Sequence, residues 1–141
     1  MWRASSESLP TKLNLFTRHI LHDNFCSLCD EHPEDTIHCL WLCDQVNCIC
    51  LSDPIFSLPR SIFFRSFGDL VSAVLTDTSL AIVALFSMVV WCIWIRQNKL
   101  KEKQHVWDVG EMVQQACEML QEFRDVQDRL TRSLVQCMRQ K

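Results

Sequence analysis

The segment Cys26-Ser-Leu-Cys29, followed by His38-Cys-Leu-Trp-Leu-Cys43, decides how this chain is organised. Two cysteines separated by two residues are followed, within the same eighteen-residue stretch, by a histidine and two further cysteines. A Cys-x2-Cys turn can direct two sulfurs toward one ion, and Zn²⁺ prefers four Cys and His ligands arranged as a tetrahedron. The segment therefore predicts a metal site with Zn²⁺ as its ion.

The spacing alone leaves one ligand of this site open. If residues 36–43 form a helix, His38 and Cys43 lie about 140° apart around its axis, so Cys43 must sit where the helix ends. Cys39 and Cys43 are four positions apart and would share a face, which would complete an all-cysteine site. His32 ranks third, because so short a connection to Cys29 would make an awkwardly tight chelate.

The alternative interpretation is that these cysteines are small apolar core residues in a reducing compartment. The second pair at a suitable distance favours the metal site. An odd total of nine cysteines, and no apolar signal-peptide run over residues 1–14, argue for an intracellular protein, nuclear or cytoplasmic, with reduced thiols. The cysteines that follow no ligand spacing are predicted to be ordinary free thiols: Cys48, Cys50, Cys92, Cys117 and Cys137.

Composition indicates a mainly α protein. The 141 residues include two glycines and no tyrosine beside many Leu, Val and Ile, which favours helices over tightly turned sheets. A net charge of −3 gives no basic field of the kind that a dedicated nucleic-acid binder carries. We expect a small N-terminal zinc-binding module, residues 1–50, followed by a buried apolar helix and a long amphipathic C-terminal helix.

Two short helices are predicted ahead of the metal site. The first must stop before Pro10, and the second opens at Pro10 and Thr11. Leu13, Phe16 and Ile20 recur at helical spacing, so we expect this stripe to pack against the metal module.

The acidic segment between Cys29 and His38 is predicted to be a turn. Asp35 or Thr36 is expected to cap the helix that carries His38. Glu34 is predicted to be a solvated acid of this turn, with a hydrogen bond to the His38 imidazole as the alternative.

A wider pattern surrounds the candidate ligands. Its pieces are Leu9-Pro-Thr-Lys-Leu-Asn-Leu-Phe-Thr-Arg-His-Ile20, Cys26-x2-Cys29, Glu34, His38-x-Leu40 and Cys43. In order and spacing this pattern, over about residues 2–50, resembles the reverse-transcriptase zinc-binding domain of plant non-LTR retroelements and their relatives. The resemblance implies that zinc is held by Cys26, Cys29, His38 and Cys43, and so favours His38 over Cys39. It also implies a retroelement-derived protein with weak contact to RNA or DNA.

The chain departs from that family in three places. A Trp usually closes the module where this chain has Cys48-Ile-Cys50. The family also has an upstream strand-like segment and, further on, a ribonuclease H domain. We therefore expect a chain that is clipped at its N-terminus and truncated before the ribonuclease H domain.

Residues 51–78 are predicted to be a connector without chemistry, punctuated by Pro54, Pro59 and Gly68. Within it, the apolar patch of residues 62–67 is expected to begin a short helix.

An uncharged apolar stretch, residues 80–95, predicts a helix over about 79–102. A membrane span needs about 20 apolar residues, so a buried helix is favoured over a membrane anchor. Trp91-x2-Trp94 with Arg96 and Asn98 is similar to a helix that follows the zinc module in the same family. Basic residues near its end complement the helix dipole, with phosphate or anionic lipid as alternative partners: Arg96, Lys99, Lys101 and Lys103.

The last segment, about residues 105–139, has the most regular spacing in the chain. Apolar residues recur in alternating steps of four and three from Val109 to Cys137, with Gln127 as a single polar seam residue. Met119 and Val126 widen this stripe beyond a two-helix seam. We therefore expect packing onto the helix of residues 79–100, with self-association or another helix as the alternative partner.

No catalytic residues are predicted. The acids are dispersed, so they offer no carboxylate cluster for divalent metals, and no glycine-rich phosphate loop is present. The sequence therefore predicts a non-enzymatic zinc-binding protein. The alternatives are a helical interaction module acting through residues 109–137 and a membrane-anchored fragment held by residues 79–95.

Overall fold

The computed structural model describes residues 1–51 and 64–139. In this part of the chain the helices are α1 (Trp2–Ser5), α2 (Lys12–Thr17), α3 (Asp44–Leu51), α4 (Phe67–Asp77), α5 (Leu80–Lys101) and α6 (Met112–Arg139). A π-helical turn spans His38–Leu42, and a 3-10 turn spans Val109–Glu111. These residues include no strand, only one antiparallel bridge between Phe25 and Pro33. The predicted fold class, a small Cys/His-bearing N-terminal part followed by long helices, is confirmed.

The main core lies where α4, α5 and the π-helical turn meet. Phe86 of α5 is almost fully buried, and its ring centre lies 5.5 Å from that of Trp41 in edge-on contact. Phe67 of α4 stacks on Phe86, with ring centres 6.4 Å apart. Aromatic pairs at these separations are favourable beyond the apolar area they bury. Phe86 therefore holds the helical part of the chain against the segment that carries the candidate ligands.

Helix α4 lies in the segment that we predicted to be a connector. Ser66 and Asp69 form a capping box, in which each side chain accepts a hydrogen bond from the other's backbone N–H. Leu70 and Val74 are buried together with Phe67. The start of a helix near Phe67 was expected, but its eleven residues were not. Residues 52–63 of the predicted connector lie outside the described residues.

The expected packing of α2 is wrong for two of its three stripe residues. Phe16 is 40% exposed and Ile20 is 61% exposed. The helix ends at Thr17, and His19 adopts a positive φ of 58°, so the chain turns before Ile20. Six residues are too few to carry the helical period as far as the sequence pattern suggested. The predicted opening is confirmed, since the Thr11 hydroxyl accepts a hydrogen bond from the Asn14 N–H.

Helix α6 begins later than predicted. Residues 104–108 are not helical, and the 3-10 turn precedes the first α-helical residue, Met112. The Asp108 carboxylate accepts a hydrogen bond from the Gly110 N–H at 3.2 Å, which satisfies a backbone donor at the helix start. From there α6 runs antiparallel to α5, with Cys92 and Met119 in sulfur contact at 3.7 Å. The predicted packing onto α5 is therefore confirmed for the first part of α6.

Helix α5 ends in a left-handed residue that is not glycine. The Gln104 N–H donates to the Lys99 carbonyl and the Lys103 N–H donates to the Leu100 carbonyl, the two hydrogen bonds of a Schellman motif. Lys103 has φ of 57°. A side chain with a Cβ is strained there, because it crowds the backbone carbonyl.

We expect Lys103→Gly to raise the free energy of unfolding by about 1 kcal/mol, because glycine adopts this φ without the strain. Urea denaturation of the full chain measures the change. Glu102→Gly is the matched control: its φ is −87°, so glycine there should lower stability. Equal effects of the two substitutions would contradict this account of the helix end.

Candidate metal centre

Three cysteines and one histidine meet at the N-terminal end of the fold. The ligand atoms of Cys26, Cys29, His38 and Cys43 all lie within 4.8 Å of one another. The Cys26 and Cys43 sulfurs are 3.9 Å apart, and the Cys29 sulfur lies 3.4 Å from Nε2 of His38. This group of side chains can bind a metal ion.

The first two cysteines lie at the tip of a tight hairpin. The Cys26 N–H donates to the His32 carbonyl, and the Glu34 N–H donates to the Asn24 carbonyl, both at 2.8 Å. Within the tip, the Asp30 N–H donates to the Cys26 carbonyl at 2.9 Å, and Asp30 has φ of 55°. Aspartate tolerates this left-handed conformation better than most residues. The Cys-x2-Cys segment is therefore closed into a turn by its own backbone.

The second pair is brought together by the π-helical turn. The Cys43 N–H donates to the His38 carbonyl at 3.0 Å, a hydrogen bond between residues five apart. In a regular α-helix these two side chains would diverge by about 140°, whereas the wider π turn returns residue i+5 close to residue i. Cys43 directly follows the π-helical turn as its C-cap, at the end of the helical segment, as expected from the sequence. The Asp35 carboxylate caps the segment by accepting the His38 N–H at 2.8 Å.

Cys39 and His32, the other two ligand candidates, lie outside the group. Cys39 is fully buried, and burial raises the pKa of its thiol further than the negative charge of Glu34 does. Its carbonyl accepts a hydrogen bond from the buried side chain of Gln97 in α5. The His32 ring centre lies 5.6 Å from that of His38. The structure thus brings His38, and not Cys39, to the other three residues.

Burial controls the protonation of the group. It raises the pKa of Cys43 to about 12 and lowers the pKa of His38. Burial also acts to raise the pKa of Cys29, but hydrogen bonds from the backbone N–H groups of Glu31 and His32, together with those to Cys26 and Cys43, leave that pKa lowered. The imidazole is therefore neutral near pH 7 with a free electron pair, and a bound cation would have to displace the proton of the Cys43 thiol.

Glu34 has a different role from either of those predicted. Its side chain is 1% exposed, so it is not a solvated turn acid. The carboxylate accepts hydrogen bonds from the Lys101 ammonium at 2.7 Å and from the Lys12 N–H at 3.2 Å, rather than from the His38 imidazole. Its carbonyl also accepts the Leu13 N–H. Glu34 therefore joins α2, the ligand-bearing hairpin and the end of α5.

The sequence contained little indication of these contacts. Glu34 belongs to the pattern that carries the family resemblance, but its partner Lys101 lies 67 residues away. The residues around Gln97 give no sign that Gln97 is buried. Two basic residues near Lys101 also make contacts within the protein. Arg96 donates to the Trp107 carbonyl at 3.1 Å, and the Lys99 ammonium lies 5.2 Å from the Trp107 ring centre.

Comparison of the chain with protein-family models, with curated proteins and with solved structures gave no match. Among the described residues, α5 has the length and apolar composition that a membrane crossing requires, and 33% of its most apolar stretch is buried in the protein. Core helices of soluble proteins have the same length and composition.

We expect Lys101→Ala to lower the free energy of unfolding by about 2 kcal/mol, because it leaves the buried Glu34 carboxylate without its charged partner. The matched control is Lys103→Ala, two residues further on, where the side chain is exposed and the change should stay within about 0.5 kcal/mol. Chemical denaturation at pH 7 compares the two variants. Equal, small effects would show that Glu34 does not depend on Lys101.

Proposed function

We propose that Cys26, Cys29, His38 and Cys43 hold a structural zinc ion and that the protein is a non-enzymatic zinc-binding scaffold. The observation that carries this proposal is the spacing of the ligand atoms. A tetrahedron with Zn–S near 2.3 Å and Zn–N near 2.05 Å separates two sulfurs by about 3.8 Å and a sulfur from a nitrogen by about 3.6 Å. Two of the six observed separations, 3.9 and 3.4 Å, fit these values, and all six are within 4.8 Å.

Four protein ligands support a structural role. A catalytic zinc site keeps one position for water or substrate, whereas four side chains close the coordination sphere. Zinc would tie the hairpin that carries Cys26 and Cys29 to the turn that carries His38 and Cys43. Because the ligands are not gathered in the unfolded chain, the free energy of binding would contribute directly to folding.

The proposed origin of this module is the zinc-binding domain of a retroelement reverse transcriptase. The support is that the residues of the recognised pattern contact one another. Thr11 caps α2, and the Asn14 side chain donates to the carbonyls of Leu9 and Glu7. Glu34 accepts the Lys12 N–H, and its hairpin carries two of the candidate ligands. These residues stabilise one small unit through their mutual contacts. A structural module derived from such a domain would be expected to retain them.

We expect the purified full chain to contain about one zinc ion, and Cys26→Ser or His38→Ala to lose it, because each removes a ligand. Cys39→Ser is the matched control and should keep the metal, since the Cys39 sulfur is not among the four clustered ligand atoms. Atomic emission on dialysed protein measures the metal content. Zinc retained in His38→Ala but lost in Cys39→Ser would overturn the ligand assignment, and no zinc in the wild type would overturn the function.

A weak contact with nucleic acid is the part of the proposal that follows from the resemblance. Arg18 belongs to the recognised pattern and is exposed, whereas Lys12 is paired with Asp23 at 3.1 Å. We expect the zinc-loaded chain to bind labelled single-stranded RNA weakly, with affinity that falls as salt rises, because phosphate contacts release counterions.

Fluorescence anisotropy at several salt concentrations measures this binding. Arg18→Glu should weaken it, and Arg124→Glu, which makes the same charge change on α6, should leave it nearly unchanged. No binding at low salt, or equal loss in both variants, would contradict a contact through the module.

The second candidate function is a helical interaction module. The observation that favours it is the long apolar face that the C-terminal half of α6 leaves exposed. This function does not depend on zinc and is compatible with the first.

A further inference from the structure

The two halves of α6 share one apolar pattern but have different surroundings. Met112 and Ala116 are buried, and Met119 contacts Cys92 of α5. Beyond them, every described residue from 121 to 139 is exposed. The apolar side chains in this second half are between 44% and 78% exposed: Phe123, Val126, Leu130, Leu134, Val135 and Met138.

The exposed residues continue the face that packs on α5. Met119, Phe123, Val126, Leu130, Leu134 and Cys137 recur in steps of four and three, and at 100° per residue they fall within one narrow stripe. From Phe123 to Cys137 the stripe extends about 21 Å at 1.5 Å per residue. A stripe of this length on a polar helix is the kind of surface that another helix covers.

The stripe opens at one end into a groove between α5 and α6. The groove encloses about 630 Å³, and its walls include Ala84, Met88 and Trp91 from α5 with Phe123 and Val126 from α6. Trp91 is 52% exposed there. Glu122 lies at the rim. The groove therefore presents apolar walls beside a carboxylate.

Charges are segregated along one flank of the stripe. Glu118, Glu122 and Asp125 lie on this flank, followed by Arg129 and Arg132 on the same side. The two ion pairs recorded in the described residues, Lys12–Asp23 and Lys101–Glu34, include none of these five. The flank is acidic toward the start of α6 and basic toward its end.

We propose that the occupant of this surface is the α6 helix of a second copy of the chain, paired in the antiparallel direction. In an antiparallel helix pair, the same flank of each helix meets across the interface. The acidic part of one flank would then lie against the basic part of the other, so the charges complement each other. In a parallel pair, this flank of one helix would face the opposite flank of the other helix, where Arg124 is the charged residue beside the stripe. The acidic and basic parts of the charged flank would then not meet.

The arrangement also gives the groove an occupant. In a pair centred near Gln127, Leu134 of the second helix lies level with Leu120, between the groove residues Met119 and Phe123. The Arg132 guanidinium of the second helix lies level with the carboxylate of Glu122. An anionic lipid surface fits this helix less well, because membrane-surface helices carry mainly basic polar faces. The polar side of α6 instead includes the acids Glu118, Glu122, Asp125 and Asp128.

Sedimentation equilibrium of the full, zinc-loaded chain tests the pairing. We expect a monomer–dimer equilibrium that Leu130→Glu weakens at least tenfold, because it places a charge in the middle of the stripe. Gln121→Glu adds the same charge on the opposite face and should leave the dimer intact. Circular dichroism and zinc content of each variant separate a lost interface from a lost fold, and distinguish failure of this proposal from failure of the zinc site.

The antiparallel orientation of the two α6 helices is tested by exchanging charges between acidic and basic positions. Glu122→Arg and Arg132→Glu should each weaken self-association at least tenfold, and an equimolar mixture of the two variants should recover dimers. A mixture no stronger than the single variants would overturn the antiparallel arrangement. So would a disulfide-linked dimer that forms readily through Cys137, because an antiparallel pair centred near Gln127 keeps those two sulfurs about 30 Å apart.

A chain that stays monomeric at every concentration would overturn the proposal as a whole. Binding of that monomer to vesicles of mixed neutral and anionic phospholipid, lost in Leu130→Glu, would assign the stripe to a membrane surface instead.

Discussion

The buried carboxylate of Glu34 connects the two parts of this protein. It receives the Lys101 ammonium from the end of α5 and the Lys12 N–H from the start of α2, while its own backbone closes the hairpin beside Cys26. A carboxylate that is 1% exposed is strongly destabilising unless it is paired, so α2, the hairpin and α5 must come together at one point. The hydrogen bond from Gln97 to the Cys39 carbonyl makes a second link between α5 and the same segment.

Around this connection, the first of the two ligand-bearing turns has little apolar packing. Between Leu9 and Ile37, Cys26 is the one buried apolar residue, and the Cys26–Cys29 turn is closed by backbone hydrogen bonds. A cation shared by Cys26, Cys29, His38 and Cys43 would cross-link this turn to the buried π-helical turn. The π-helical turn is the local adjustment that brings His38 and Cys43 together, and wide turns of this kind are found most often at functional sites.

The long helices show how one pattern serves two surroundings. The apolar face of α6 is covered by α5 up to Met119 and then continues into solvent. The sequence left packing onto α5 and self-association as alternatives, and the first applies to the first part of the helix. In the proposed dimer, the exposed second part of α6 pairs with α6 of a second copy, so self-association applies there, and the same apolar pattern serves both contacts.

The sequence by itself determined the mainly helical class and the approximate extents of α5 and α6, and it indicated Cys26, Cys29 and Cys43 as members of the Cys/His group, because periodicity, capping and ligand spacing are local properties. It selected His38 over Cys39 only through a resemblance, since an ideal helix favours Cys39. The tertiary structure decided the π turn, the burial of Glu34 and Gln97, helix α4, and the point along α6 beyond which α5 no longer covers its apolar face. Each of these depends on contacts between residues far apart in the chain, whose energies no local pattern contains.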